Sequence, residues 1–142
     1  MLKGQKALKA HANLSTGYKT VLDDGRGHTM VTDLPSSQGG KNEGTTALEL
    51  ALMSLAGCIT TIYKIVAENS KFAFKQITVD LEAEKPKDKA TIAWVTGGVE
   101  VQTDEEEQKA ESVFRVTMKR CPVGVLFENA NVDMNLTFKV KK

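Results

Sequence analysis

The sequence predicts an α+β protein in which antiparallel sheets surround one long buried helix. Residues 50–63 are uncharged and mostly apolar, which is typical of a core helix. Several other segments alternate apolar and polar residues, which is typical of strands with one solvent-exposed face. Because the chain has 142 residues and no repeat or linker, we expect a single domain over residues 1–142.

The first part of the chain is predicted to be extended. Residues 8–14 alternate at strand periodicity, and residues 28–32 are predicted to return as a strand. Residues 23–27, Asp-Asp-Gly-Arg-Gly, form a turn, because Gly and Asp adopt the backbone conformations that a hairpin needs. A loop with several glycines follows over residues 35–44.

A long helix is predicted over residues 47–68. It begins at a capping box, in which the Thr46 hydroxyl and the Glu49 carboxylate each satisfy a backbone N–H group that lacks a partner within the helix. Beyond this box the helix is apolar on every side. The rest of the chain, or a second subunit, therefore has to cover it.

The second half of the chain is predicted to contain three strands and two helices. The strands cover residues 77–84, 91–102 and 132–140. Gly97 and Gly98 mark a bulge or bend in the second strand. The first helix opens at a capping box from Thr103 to Glu106. Its apolar stripe is Ala110, Val113, Phe114 and Met118. A short helix begins at Cys121-Pro122 and runs to about residue 129.

Composition excludes several kinds of partner and site. Lys and Arg total 19 against 18 Asp and Glu, so no strong field attracts nucleic acid or a membrane surface. The N-terminus lacks the apolar segment of a secretory signal, and the uncharged stretch is too short to cross a bilayer. We therefore expect a cytoplasmic protein with reduced thiols. The cysteines and histidines have no zinc-site spacing, so neither a metal nor another cofactor is expected.

Two cysteines are the candidate reactive groups. Cys58 lies inside the long helix beside Gly57, which lowers helix stability by about 1 kcal/mol relative to Ala and leaves room near the sulfur. The alternative is an inert core cysteine. Cys121 precedes Pro122, which places it at a helix N-cap. There the helix dipole and Arg120 favour a thiolate, and a merely tolerated cap is the alternative. By local sequence, Cys121 is the more acidic thiol.

Three motifs occur in an order that is specific to one family. They are Gly-Gly-Lys-Asn-Glu-Gly at residues 39–44, the apolar helix that runs from Ala47 to Cys58, and Cys121-Pro-Val before the final strand. This order resembles the OsmC/Ohr family of osmotically inducible and organic hydroperoxide resistance proteins over nearly the whole chain. The resemblance implies an intertwined homodimer, in which two sheets enclose long central helices and the active sites lie at the subunit interface.

The resemblance also implies a thiol peroxidase for organic hydroperoxides. The cysteine matching Cys58 attacks the peroxide bond and becomes a sulfenic acid. The cysteine matching Cys121 condenses with it to a disulfide, which a dithiol reductant reopens. Arg26, in the glycine turn, is the candidate for stabilising the thiolate, although by sequence alone a solvated turn arginine is the simpler interpretation. The apolar site walls are expected to include Met53, Leu55 and Ile62.

Glu49 is the other candidate catalytic residue, and it departs from the family pattern. Peroxidase members carry this glutamate one position earlier, after a proline, where this chain has Leu48 and Ala47. Nine residues separate Glu49 from Cys58, which places the two side chains about 180° apart around the helix. Glu49 can therefore be either a helix cap or a catalytic residue that is supplied to the partner chain. For the whole protein, the alternative is a non-catalytic binding protein for a small hydrophobic or thiol ligand at the dimer interface.

Overall fold

The computed structural model describes residues 7–142. Residues 1–6, which belong to the predicted domain 1–142 and to the N-terminus expected to lack a secretory signal, lie outside this range. The chain divides into two compact units with the boundary between Ala51 and Leu52. Each unit contains one three-stranded sheet. In chain order, the long helix comes between the two sheets, and two further helices come before the last strand. The described residues therefore have the α+β class that the sequence predicts.

The sheet of the first unit is antiparallel throughout. Its strands are β1 (His11–Leu14), β2 (Thr20–Asp23) and β3 (Thr29–Thr32). The predicted turn at residues 23–27 joins β2 to β3. Gly25 and Gly27 have φ angles of 74° and 92° there, in the left-handed region that glycine adopts without a steric penalty. A short 3-10 helix, Ser36–Gln38, follows in the loop.

Asp33 fixes the loop between β3 and the long helix. Its side chain is almost fully buried, and its carboxylate accepts the backbone N–H groups of Leu34, Lys41 and Glu43 at 2.7, 3.2 and 3.1 Å. These bonds, that from Glu43 foremost, hold the pKa of Asp33 below its usual range because they favour the charged carboxylate. The loop therefore follows one defined path to the start of the helix.

Helix α1 (Ala47–Asn69) confirms the predicted long helix and ends one residue later than expected. The predicted capping box is also confirmed. The Glu49 N–H donates to Thr46 Oγ1, and the Thr46 N–H donates to Glu49 Oε1, both at 3.0 Å. The start of α1 is therefore set by local sequence, because the two side chains satisfy each other's backbone donors.

One face of α1 is buried and the opposite face is open in a single chain. Leu55, Ile59 and Tyr63 are fully buried, whereas Met53 and Ile65 are 51% and 45% exposed. By length and composition alone α1 could cross a membrane, but its buried face belongs to the hydrophobic core. The described part of the chain therefore covers only one side of α1, whereas a helix that is apolar all round needs cover on every side.

The sheet of the second unit is mixed. Its strands are β4 (Gln76–Glu84), β5 (Trp94–Gln102) and β6 (Asp133–Lys141). β4 pairs antiparallel with β5, whereas β6 pairs parallel with β5. The prediction of antiparallel sheets is therefore wrong for this pair, because two helices between β5 and β6 carry the chain back to the same end of the sheet. No bulge interrupts the register at Gly97. A Cβ there would lie 2.1 Å from the backbone carbonyl oxygen of Asp80, so the glycine permits a close approach of the strands.

The crossover consists of α2 (Glu107–Arg120) and α3 (Pro122–Asn129). The predicted apolar stripe of α2 is confirmed, since Ala110 and Val113 are buried in the core. The predicted capping box at Thr103 is wrong, because no side chain among the described residues caps α2. The buried Thr103 hydroxyl instead donates to the Ala73 carbonyl and accepts the Glu105 N–H, so it ties two loops together.

Candidate thiol active site

The two cysteine thiols are in contact although 63 positions separate them in the sequence. The Cys121 thiol forms a side-chain hydrogen bond with Cys58, and both cysteines are free thiols. Tyr63, five residues beyond Cys58, anchors α1 to α2, because its buried hydroxyl donates to the Ala110 carbonyl at 3.2 Å. α3 follows α2 directly and begins after Cys121. A disulfide between these two thiols requires their sulfurs to approach to about 2.05 Å.

Cys58 borders an open surface of α1. It is partly exposed, and its neighbour Gly57 is exposed. Apart from the adjacent residues and the nearby backbone of its own helix, a Cβ on Gly57 would meet no atom of residues 52–142 within 4 Å. The hydroxyls of Thr60 and Thr61 both donate to the Gly57 carbonyl, at 2.8 and 3.0 Å, so they are satisfied by the helix backbone. An incoming molecule therefore has room beside Cys58.

Cys121 is fully buried and caps α3. Its sulfur accepts the Gly124 N–H at 3.3 Å, which favours a thiolate as the sequence predicts. Burial, the largest effect, and the hydrogen bond with Cys58 outweigh this contribution and raise the pKa of Cys121 to about 11. The prediction that the helix start makes Cys121 acidic is therefore wrong, because desolvation disfavours the charge more than the N–H groups favour it.

Gly124 is a site residue that the sequence analysis missed. It donates the capping N–H, and a Cβ at Gly124 would be in ordinary van der Waals contact with Cys121 Sγ at 3.4 Å and Met118 Cε at 3.8 Å, so its part in the site is its backbone N–H. Its signal in the sequence is its position three residues after an N-cap cysteine, where the capped N–H group lies.

Arg26 lies in the β2–β3 turn of the first unit. Its side chain is 78% exposed, and its guanidinium is 3.5 Å from the Asp24 carboxylate. Asp24 also accepts the backbone N–H groups of Arg26 and His28 and contacts the His28 ring at 2.7 Å. These bonds, that from the Arg26 N–H foremost, lower the pKa of Asp24 to about 2. Arg26 thus has a carboxylate partner in its own turn, and its role toward Cys58 stays a prediction.

Glu49 uses its carboxylate in the capping box. The Thr46 N–H and then the Thr46 hydroxyl hold the pKa of Glu49 below its usual range, because both bonds favour the charged carboxylate. The capping geometry is therefore confirmed, while a catalytic role for Glu49 stays a prediction.

The three expected wall residues on α1 have different environments. Leu55 is fully buried and packs in the core, so it is not available to a ligand. Met53 is half exposed and Ile62 is partly exposed, so these two are on accessible surface. Across residues 7–142, no group of three metal-ligating side chains occurs.

Titration of Cys121 in a Cys58→Ala variant tests the cause of its raised pKa. The hydrogen bond with Cys58 is lost but burial remains, so the pKa should fall below about 11 and stay above the ordinary cysteine value of about 8.5. Burial stabilises the neutral thiol, so thiolate absorbance should appear only at pH values above about 8.5. The Cys58→Ala/Cys121→Ala protein provides the blank. Ionisation of Cys121 near neutral pH would contradict burial as the dominant effect.

Solved structures share this fold over nearly the whole chain. An OsmC-like protein from Mycoplasma pneumoniae superposes with a TM-score of 0.86 at 13% identity, over 96% of this chain and 99% of that chain. An organic hydroperoxide resistance protein OsmC from Legionella pneumophila, described as a predicted redox protein and regulator of sulfide bond formation, has a TM-score of 0.76 at 19% identity, over 96% and 99%. A putative organic hydroperoxide resistance protein from Vibrio cholerae, with captopril bound in one of its active sites, has a TM-score of 0.69 at 18% identity, over 97% and 94%.

Identities this low establish the fold alone, so the family of the chain has to be shown by its sequence. No curated protein matches the chain. The family model described as OsmC-like protein matches residues 40–137, a range that contains α1, both cysteines and all three strands of the second sheet up to residue 137. On this match, the chain belongs to the OsmC-like protein family.

Proposed function

We propose that the protein is a thiol-dependent peroxidase that reduces organic hydroperoxides. The observation that carries this proposal is the hydrogen-bonded contact between a partly exposed helix cysteine, Cys58, and a buried N-cap cysteine, Cys121. The Legionella and Vibrio relatives are named as organic hydroperoxide resistance proteins, which supports the substrate class.

The different environments of the two sulfurs assign them different roles. Cys58 is the nucleophile, because open space lies beside it at Gly57. Cys121 is buried and keeps its proton at neutral pH because its pKa is raised, so it acts second, as the disulfide partner.

The proposed reaction has three balanced steps. The Cys58 thiolate attacks the terminal peroxide oxygen, the O–O bond breaks, and the released alkoxide takes a proton from solvent water and leaves as the alcohol, with Cys58 now a sulfenic acid. The Cys121 sulfur then attacks the Cys58 sulfur, and the hydroxide leaves as water with the Cys121 proton. An external dithiol reduces the resulting disulfide by thiol exchange and is itself oxidised to a disulfide.

Arg26 and a second subunit complete the proposed site. The Arg26 guanidinium is a permanently charged, fork-shaped donor on an exposed turn, and its proposed role is to stabilise the Cys58 thiolate. The half-exposed Met53 and Ile65 support a homodimer, since obligate interfaces are apolar and bury more than about 2,000 Å². The proposed cytoplasmic location keeps both thiols reduced between turnovers.

Ligand binding without turnover is the second candidate function. The observation in its favour is the engagement of Glu49 in the capping box, which leaves the site without the activating glutamate of the peroxidase members. The Vibrio relative holds captopril in one of its active sites. On this account the cleft beside Cys58 holds a small hydrophobic or thiol compound and leaves it unchanged.

Peroxide consumption by cysteine variants separates the two functions. With cumene hydroperoxide and dihydrolipoamide, the wild type should turn over and Cys58→Ser should consume nothing. Cys121→Ser should consume one equivalent and stop, because no partner thiol remains. A wild type that consumes no peroxide would refute the peroxidase, and first reaction at Cys121 would reverse the roles.

Substitution of Glu49 separates capping from catalysis. Glu49→Gln keeps much of the reciprocal bond, so activity and stability should change little. Glu49→Ala loses the acceptor and should lower the free energy of unfolding by no more than the ~0.5–2 kcal/mol typical of losing a cap. The measurements are thermal unfolding and the rate of peroxide reduction. A folded Glu49→Gln dimer that is roughly a hundredfold slower, the scale of a lost acid–base group, would place Glu49 in the active site.

A further inference from the structure

A surface cleft at the C-terminal end of α1 has the features of a second ligand site. Its volume is about 190 Å³, and its apolar lining comes from Phe72, Val113 and Val116. Lys71 and Lys109 add two ammonium groups. The lining begins twelve residues beyond Cys58, which corresponds to a rise of about 18 Å along a helix. Neither Cys58 nor Cys121 is among its lining residues, so the cleft is distinct from the cysteine pair.

Lys71 occupies a backbone position that disfavours lysine. α1 ends in a Schellman motif, in which the Phe72 N–H donates to the Ala67 carbonyl at 2.8 Å and the Lys71 N–H donates to the Glu68 carbonyl at 3.1 Å. The motif places Lys71 at a φ of 53°, where glycine is usual. The other non-glycine residues with positive φ in the described chain are both Asn, the type that tolerates this conformation. A lysine at residue 70 would interact equally well with the helix dipole and would avoid the left-handed backbone conformation. The position of Lys71 therefore suggests that its side chain has a function of its own.

The two lysines keep donors available for an anion. No ion pair within residues 7–142 involves Lys71. Lys109 Nζ is 3.7 Å from Glu105 Oε1, which is longer than a hydrogen bond, and the other Glu105 oxygen accepts the Ala73 N–H. Ser70 and Ser112 add hydroxyl groups to the lining. The cleft therefore combines positive charge and hydroxyl donors with an apolar floor.

We propose that this cleft binds a small aromatic carboxylate. The volume of about 190 Å³ is comparable with the ~150 Å³ of an apolar protein cavity that holds one benzene molecule. Phe72 and Val113, which are 6% and 4% exposed, offer the ring an apolar surface. Lys71 and Lys109 offer the carboxylate charge-assisted hydrogen bonds. Nothing in this site depends on the thiols, so it stands or falls independently of the peroxidase.

Binding of benzoate, followed by ¹H–¹⁵N NMR of the full chain, tests the proposal. Benzoate should shift the amides of Ser70, Phe72 and Ser112 saturably. Benzyl alcohol, which lacks the charge, and acetate, which lacks the ring, should each bind at least about fivefold more weakly. Lys71→Asn removes the charge in a residue type that accepts the left-handed backbone. It should weaken benzoate binding about fivefold, whereas Lys64→Gln, a lysine change within α1 and outside the lining of the cleft, should not.

Three results would overturn the proposal. The absence of saturable shifts at the cleft would refute the site, and acetate binding as tightly as benzoate would refute the aromatic group. Benzyl alcohol binding as tightly as benzoate would refute the carboxylate. Lys109→Gln provides a second charge variant if Lys71→Asn fails to fold, and thermal unfolding of each variant establishes which are folded.

Discussion

The buried face of α1 is the constraint on which the rest of the structure depends. Leu55, Ile59 and Tyr63 have no exposed surface, and the Tyr63 hydroxyl donates to the Ala110 carbonyl of α2. A buried hydroxyl without that partner would cost about 1–3 kcal/mol, so the bond fixes how α1 lies against α2. Cys58 is three residues from Leu55 and one from Ile59. Its sulfur is therefore held at the edge of the core, at the point where α3 begins after Cys121.

The same packing sets the protonation of Cys121. Cys121 is at a helix start, where N–H groups favour a thiolate, yet burial raises its pKa and keeps the thiol neutral. Gly57 weakens α1 beside Cys58 by about 1 kcal/mol relative to Ala and leaves open surface there. The chain thus combines a protected, protonated sulfur with an accessible one, and accepts a locally weaker helix at the accessible position.

Sequence reasoning succeeded where the interaction is local and failed where distant groups compete. The capping box of Thr46 and Glu49 and the Cys121-Pro122 helix start both follow from neighbouring residues, and both form. Thr103 has the same local pattern, but the Ala73 carbonyl recruits its hydroxyl, and Ala73 is 30 positions away. The parallel pairing of β6 and the raised pKa of Cys121 likewise depend on how helices pack, which the local sequence does not specify. The proximity of Cys58 and Cys121 was implied only by the family resemblance.

Peptide mapping after one equivalent of cumene hydroperoxide tests most directly whether Cys58 and Cys121 act as a pair. The reduced protein is oxidised, blocked with an alkylating reagent, digested and analysed by mass spectrometry. We predict one intramolecular disulfide between the Cys58 and Cys121 peptides, which a dithiol removes. A protein in which Cys121 remains alkylatable while Cys58 is over-oxidised, or in which neither cysteine reacts, would contradict it.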